Sequence, residues 1–257
     1  MDKLYRLFFV LSIGMLAFFL LDLWKDYNRE WRKYQKAFRQ MELAKARDDR
    51  ERETARRKGY EFLQIPVADG KRIDRCTMCH MGVEDPRFTN APQPFKAHPE
   101  IPSHPFEKFG CTLCHQGQGL ATAVKAGHGN VPFWDEPLLK GDLIQASCGS
   151  CHIGADLREA PLITSGKRLF QERACVACHK IRGVGGAIGP DLTLVGQKRK
   201  DPEWHLRHFK DPQSTSPGST MPSFKHLSDE ELKALTVYML SLREVPSALV
   251  AVGPVLK

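Results

Sequence analysis

Five residues recur four times in this chain. The pattern Cys-x-x-Cys-His occurs at Cys76–His80, Cys111–His115, Cys148–His152 and Cys175–His179, and the chain's 8 cysteines are all used in it. Two cysteines three apart can each form a thioether with one of the two vinyl groups of a haem. The histidine that follows then reaches under the ring to the iron. Paired Cys-x-x-Cys motifs also build zinc ribbons, but zinc does not require a histidine after every second cysteine. Thioredoxin-like motifs sit between a strand and a helix, a context absent here. The sequence therefore predicts four covalently attached haem c groups. Cys76, Cys79, Cys111, Cys114, Cys148, Cys151, Cys175 and Cys178 are the attachment points, and His80, His115, His152 and His179 are iron ligands.

Four such groups in roughly 200 residues supply large apolar surfaces, so less side-chain core and less regular structure are needed. The 20 glycines and 17 prolines fit a loop-rich chain. The predicted fold class is mainly α with many loops. It has a transmembrane helix continuing into a helical stalk, a loop-rich multihaem region and an all-α C-terminal domain. The expected segments are 1–24 (anchor), 25–58 (stalk), 59–160 (three-haem region), 161–245 (C-terminal domain) and 246–257 (tail).

Leu7–Trp24 is apolar except for Asp22. That is the short end of a bilayer crossing and long for a signal-peptide core. No small-x-small cleavage site follows, so an uncleaved signal anchor is expected. Residues 25–58 carry 13 Lys/Arg against 7 Asp/Glu, most of the chain's net +8. Such a flank favours the cytoplasmic side, whereas resemblance to c-type cytochromes, whose haem is attached outside the bacterial cytoplasmic membrane, implies the outer side, and the rule is only statistical. Anionic lipid at the outer surface is a match for the charge; nucleic acid is not expected there.

Leu20, Trp24, Tyr27, Trp31, Tyr34, Phe38 and Met41 alternate in spacing between 4 and 3, a heptad seam. The anchor is expected to continue through it as one helix. The stripe packs on the chain's own haem region, on a partner or second copy, or on the lipid surface.

Gly59–Arg75 is a linker, with turn signals at Pro66 and Asp69-Gly70. Residues 85–110 hold six prolines in 26 positions, so irregular backbone is expected. His98 and His104 each precede a proline, which keeps them extended and away from helix. His128 lies between two glycines, which permit close approach of the backbone to a cofactor. Outside the motifs there are six histidines: His98, His104, His128, His205, His208 and His226. The first three are predicted sixth ligands for the first three irons, in an order the sequence leaves open. The last three are read as surface residues.

The stretch HPFEKFGCTLCHQGQG resembles a segment of membrane-linked multihaem bacterial cytochromes, over roughly residues 76–180. Such proteins are often subunits of quinol-oxidising cytochrome bc-type complexes, so cytochrome b and Rieske-type subunits are the implied partners. From Pro161 onward the chain resembles a class I cytochrome c domain. SGKRLF leads into Cys-Val-Ala-Cys-His, and Gly189-Pro190-Asp191-Leu192 matches that family's Gly-Pro-x-Leu loop. Thr220-Met221-Pro222 matches its methionine loop. The resemblance implies that the Pro190 carbonyl accepts a bond from the His179 ring and that Met221 is the sixth ligand of the fourth iron. Ser228 and Glu231 form a capping box ahead of a helix with an apolar face at Leu232, Leu235, Tyr238, Met239 and Leu242. Lys198, Arg199, Lys200 and Lys210 are a candidate basic docking patch, or an ordinary solvated charge run.

A thioether ligand raises a haem potential relative to two imidazoles. Three lower-potential haems then precede one higher-potential haem. The expected protein is a tetrahaem c-type cytochrome of the bacterial cytoplasmic membrane, single-pass, with its haems on the periplasmic side. It carries electrons from a membrane quinol oxidiser, or another respiratory or photosynthetic partner, to a periplasmic acceptor. A catalytic multihaem reductase, a sensor with one open iron and a free tethered shuttle are the alternatives. The chain offers no general acid–base pair or nucleophile of its own.

Overall fold

The computed structural model describes residues 2–67, 70 and 72–244. The Asp69 turn signal and the 246–257 tail lie outside the described residues. The chain is mainly helical with few strands, as expected.

Helix α1 spans Asp2–Tyr27 and buries none of its residues. Its apolar side chains, including Phe8, Phe18 and Trp24, face outward. The span is long and apolar enough to cross a membrane.

The expected single helix through the stalk is broken. Arg29 has ψ 141°, which ends α1 at Tyr27, and a second helix, α2, starts at Glu30 and runs to Lys45. A further helix, α3, follows at Asp49–Arg57, capped by the Asp48 side chain on the Glu51 amide. The break divides the aromatic stripe. Leu20, Trp24 and Tyr27 remain exposed on α1, whereas Trp31 and Phe38 on α2 are buried. Phe38 stacks at 4.6 Å from Phe88 and lies 5.7 Å from Phe95. Trp31 meets Tyr60 and Phe62 edge-on. The α2 part of the stripe thus packs on the chain's own middle segment, against Tyr60, Phe62, Phe88 and Phe95. Gln35 and Glu42, on the same buried face, are paired. Gln35 exchanges hydrogen bonds with the Glu61 backbone, and Glu42 pairs with Lys58.

Strands β1 (Ile65–Val67) and β2 (Arg72–Asp74) form one antiparallel pair, Val67 opposite Arg72. The middle region is then mostly loop with single helical turns. These are 3-10 turns at Cys76–Met78 and Pro86–Phe88, followed by α4 (Phe106–Phe109), α5 (Thr112–His115) and α6 (Val124–Gly127), and a 3-10 run at Gly141–Ser150. The proline density accounts for this, since each proline removes a donor and restricts the residue before it.

The C-terminal part holds the largest core. Helix α7 (Pro161–Glu172) leads into the fourth motif, whose cysteines bound the one-turn helix α8 (Cys175–Cys178). A short hairpin, β3 (Lys180–Ile181) with β4 (Val184–Gly185), follows, so the domain is not strictly all-α. Helices α9 (Val195–Lys198), α10 (Pro202–Lys210), α11 (Pro212–Thr215) and α12 (Asp229–Ser241) complete it. The Ser228–Glu231 capping box forms in both directions. Leu232, Leu235 and Met239 of α12 pack with Leu169 and Phe170 of α7. Gly166 allows this approach: a Cβ there would collide with the Ala234 carbonyl of α12.

Truncating Phe38 removes the ring that joins α2 to Phe88 and Phe95. Phe38→Ala is expected to cost about 3–5 kcal/mol, the range for emptying an aromatic site in a core. Denaturant unfolding followed by circular dichroism measures it.

Candidate functional site

The three loop histidines and the first three motif histidines come together in pairs. The ring centres of His80 and His128 are 6.3 Å apart, those of His98 and His115 5.9 Å, and those of His104 and His152 5.9 Å. Two imidazoles on opposite sides of one metal, with bonds of about 2 Å, have ring centres roughly 6 Å apart. The pairing that the sequence leaves open is visible here: His128 faces the first motif, His98 the second and His104 the third.

The loop histidines are oriented from behind. Nδ1 of His98 donates to the Pro99 carbonyl at 2.7 Å, and Nδ1 of His104 donates to the Pro102 carbonyl at 2.8 Å. A carbonyl only accepts, so Nδ1 carries the proton and Nε2 keeps its lone pair for a metal. The prolines after His98 and His104 set the extended backbone that makes these bonds possible. His128 ends the α6 turn instead, its amide bonded to Val124. Gly129 beside it has φ +72°, and a Cβ there would lie 2.8 Å from Pro137. Loop packing, not approach to a cofactor, explains that glycine. Burial pushes the His80 and His115 imidazoles below the usual histidine range, which favours the neutral, metal-binding form. The thiols of Cys79 and Cys114 are pushed up to about 11, again chiefly by burial.

The fourth motif is arranged differently. Nδ1 of His179 donates to the Pro190 carbonyl at 3.0 Å. Gly189 lies flat against the ring, where a Cβ would come within 2.7 Å of it. Met221 is partly buried on the same core that holds Cys175 and Val176.

Successive motifs are tied together by contacts the sequence did not reveal. Asp74 is buried, two residues before Cys76. Its carboxylate accepts from the Cys111 amide at 2.6 Å, the Thr112 amide at 2.8 Å and the Thr112 hydroxyl at 2.6 Å. Gly110 and Gly119 leave room for it. Ser147, just before the third motif, donates to the Cys114 carbonyl at 2.6 Å. Val237 and Leu240 of α12 pack with Ala146 and Ile163 around Cys148, while the other face of α12 covers Cys175. No isolated Asp or Ser signals such a role in a sequence.

Two other expectations change. His205 is not a surface residue: it is 2 % exposed and Nε2 bonds the Arg199 carbonyl at 2.8 Å. Burial holds it down to about 4. His208 is half-buried, stacked on Trp204 and bonded to Thr215, and His226 is exposed as expected. The basic residues near the fourth motif are dispersed. Lys200 pairs with Glu136 and Lys210 with Asp229, while Arg199 lies over Trp204.

Residues 185–245 match the family described as cytochrome c oxidase, mono-heme subunit/FixO. Among curated relatives, cytochrome c oxidase subunit 2 of Alkalihalophilus pseudofirmus is 33% identical over 89 residues, covering 32% of this chain and 26% of the relative. Cytochrome c oxidase subunit 2 of Bacillus subtilis is 31% identical over 98 residues, 33% of this chain and 28% of the relative. A nitric oxide reductase subunit of Paracoccus denitrificans is 30% identical over 88 residues, 31% of this chain and 58% of the relative. The chain thus spans about a quarter of the length of the first of these. The family's mono-heme description differs from the four haems expected, and the match covers only residues 185–245, after the fourth motif.

Asp74→Ala leaves three largely buried donors without an acceptor. Each costs about 1–3 kcal/mol, so the variant is expected to lose several kcal/mol in denaturant unfolding. His205 supplies a pH test. Its folded value of about 4 lies below 6.5, so between these values the unfolded chain binds a proton that the folded chain excludes. Stability falls as pH drops through that window, by about 3 kcal/mol in total. His205→Gln is expected to flatten that slope when unfolding is measured from pH 7 to pH 4.

Proposed function

We propose that this chain is a membrane-anchored electron-transfer cytochrome holding four covalent haem c groups, and a subunit of a membrane redox complex. The observation that carries the reading is the three imidazole pairs, each one metal wide, with a motif histidine in every pair.

The residues present suit the group. In each of the first three motifs the two cysteines provide thioethers, and His80, His115 and His152 face His128, His98 and His104 respectively. In the fourth, His179 is held by Pro190 while Met221 is the candidate opposite ligand. Haem c, when bound, supplies reversible one-electron iron chemistry. The protein sets how readily that happens. Paired imidazoles favour the ferric state, and a methionine thioether favours the ferrous. The C-terminal domain is therefore the electron-accepting end of the chain. The Pro99, Pro102 and Pro190 carbonyls fix ring orientation and tautomer.

Three features support membrane attachment and complex membership. α1 is long and apolar enough to span a bilayer. The relatives of the C-terminal domain are described as subunits of oxidases and a reductase. The middle segment's resemblance to subunits of cytochrome bc-type complexes adds a quinol-oxidising assembly as the source of electrons. The haem-bearing part then lies on the periplasmic face of the bacterial inner membrane, delivering to a soluble or membrane-bound acceptor.

Quantitative haem assay on the purified full-length chain is expected to give four haems per polypeptide, and the reduced protein is expected not to bind carbon monoxide. His98→Ala, His104→Ala and His128→Ala are each expected to open one iron, seen as carbon monoxide binding at a single haem per chain. One haem per chain, or carbon monoxide binding by the unaltered protein, overturns the reading. Purification in mild detergent is expected to retain a membrane redox subunit in fixed ratio. Emergence of the chain alone refutes complex membership.

A further inference from the structure

Just past the end of α1 the structure opens a cleft of about 690 Å³. It lies between the start of α2, the linker before β1 and the loop at residues 118–126. Arg29, Arg32 and Arg75 line it together with Trp31, Tyr60 and Phe62, and Asp26 is the one acidic side chain in the wall among the described residues. Three cations against one anion leave it with a local charge of +2.

The guanidinium of Arg32 is held in place by aromatic faces. It lies 5.2 Å from the Tyr27 ring centre and 5.3 Å from those of Trp31 and Tyr60. Arg75 lies 4.9 Å over Phe62 and donates to the Leu120 carbonyl at 2.7 Å. Arg29 reaches Asp26 at 3.0 Å in an exposed pair, which contributes little by itself. Nε of Arg32 is buried and has no acceptor among the described residues. A buried N–H of a guanidinium with no acceptor is costly, and Arg32 is one of the residues lining the cleft.

The position narrows the anion. α1 carries Trp24 and Tyr27 exposed at its last turn, where aromatic side chains mark the boundary between hydrocarbon and headgroups. The cleft is therefore at headgroup level when α1 spans the bilayer. We propose that it binds the phosphate of an anionic phospholipid, with Arg32 as the principal donor, Arg29 and Arg75 beside it, and the aromatic side chains against the glycerol. Arginine suits this role because its planar fork matches phosphate oxygens. The inference rests on α1 lying in a membrane, and the cleft adjoins the first motif, Arg75 directly preceding Cys76.

The test uses the full-length holoprotein in neutral detergent, freed of lipid by washing, with the thermal unfolding midpoint as readout. Phosphatidylglycerol is expected to raise the midpoint by several degrees, while phosphatidylcholine and inorganic phosphate at equal concentration do not. Arg32→Gln is expected to shift the half-saturating phosphatidylglycerol concentration upward by roughly tenfold or more, the loss of one charge-assisted hydrogen bond. Arg29→Gln, at an exposed position and safe for folding, shifts it in the same direction by less. An equal rise with phosphatidylcholine, no rise at all, or a response unchanged in both variants overturns the proposal. An equal rise with inorganic phosphate overturns the lipid assignment and makes this a free-phosphate site. Haem content and the reduced-state spectrum, unchanged in both variants, separate this result from any failure of the electron-transfer reading.

Discussion

A gap one metal wide between two imidazoles is the constraint on which the first half of this molecule depends. Each of the three loop histidines must reach a motif histidine that is 17 to 48 residues away in sequence. Little regular structure is available to do it. The backbone between residues 76 and 152 is therefore organised by hydrogen bonds that hold single side chains. Pro99 and Pro102 carbonyls hold His98 and His104 from behind. The α6 turn carries His128. Proline-rich loops are suited to this because they lose less entropy on ordering than an ordinary loop, the free chain being already restricted.

The four motifs are also joined in sequence order, and each joint is made differently. A buried carboxylate, Asp74, ties the first motif to the second. A hydroxyl, Ser147, ties the second to the third. An apolar helix, α12, ties the third to the fourth by packing one face on Ala146 and Ile163 and the other on Leu169 and Phe170. Gly149 permits the last contact, since a Cβ there would come within 2.6 Å of Ser241. If the motifs hold haem as proposed, electron transfer needs fixed separations between them, and these joints supply protein contacts that fix the spacing of the motifs.

The legible and illegible parts of this structure divide along a physical line. Cys-x-x-Cys-His and the Ser228–Glu231 box are local, so sequence spacing alone exposes them. The Pro190 loop is legible through resemblance to cytochrome c domains. The pairing order of His98, His104 and His128 is not legible, because it depends on how loops cross and not on any period. His205 reads as a surface residue in the sequence, yet it is buried. Its position on α10, beside Trp204 and Phe209, gives an apolar face in which one histidine is held against a backbone carbonyl. The stalk reads as one unbroken helix because neither glycine nor proline marks the break. Arg29 adopts ψ 141° where the chain leaves α1, and α2 packs on Phe88 and Phe95.

That break has a functional reading in the architecture. A straight helix from Asp2 to Lys45 would hold its aromatic stripe in one line. Breaking at Arg29 lets α1 keep an all-round apolar surface for lipid while α2 lays Trp31 and Phe38 on Tyr60, Phe62, Phe88 and Phe95. Arg29 and Arg32 sit at the junction between the two helices. Some of the charge of residues 25–58 is neutralised internally, by Asp26 on Arg29, by Glu51 on Arg47 and by Glu42 on Lys58. Arg32 is left over the Tyr27, Trp31 and Tyr60 rings with an unmet Nε donor. Under the lipid proposal, this positive flank is a surface that meets headgroups.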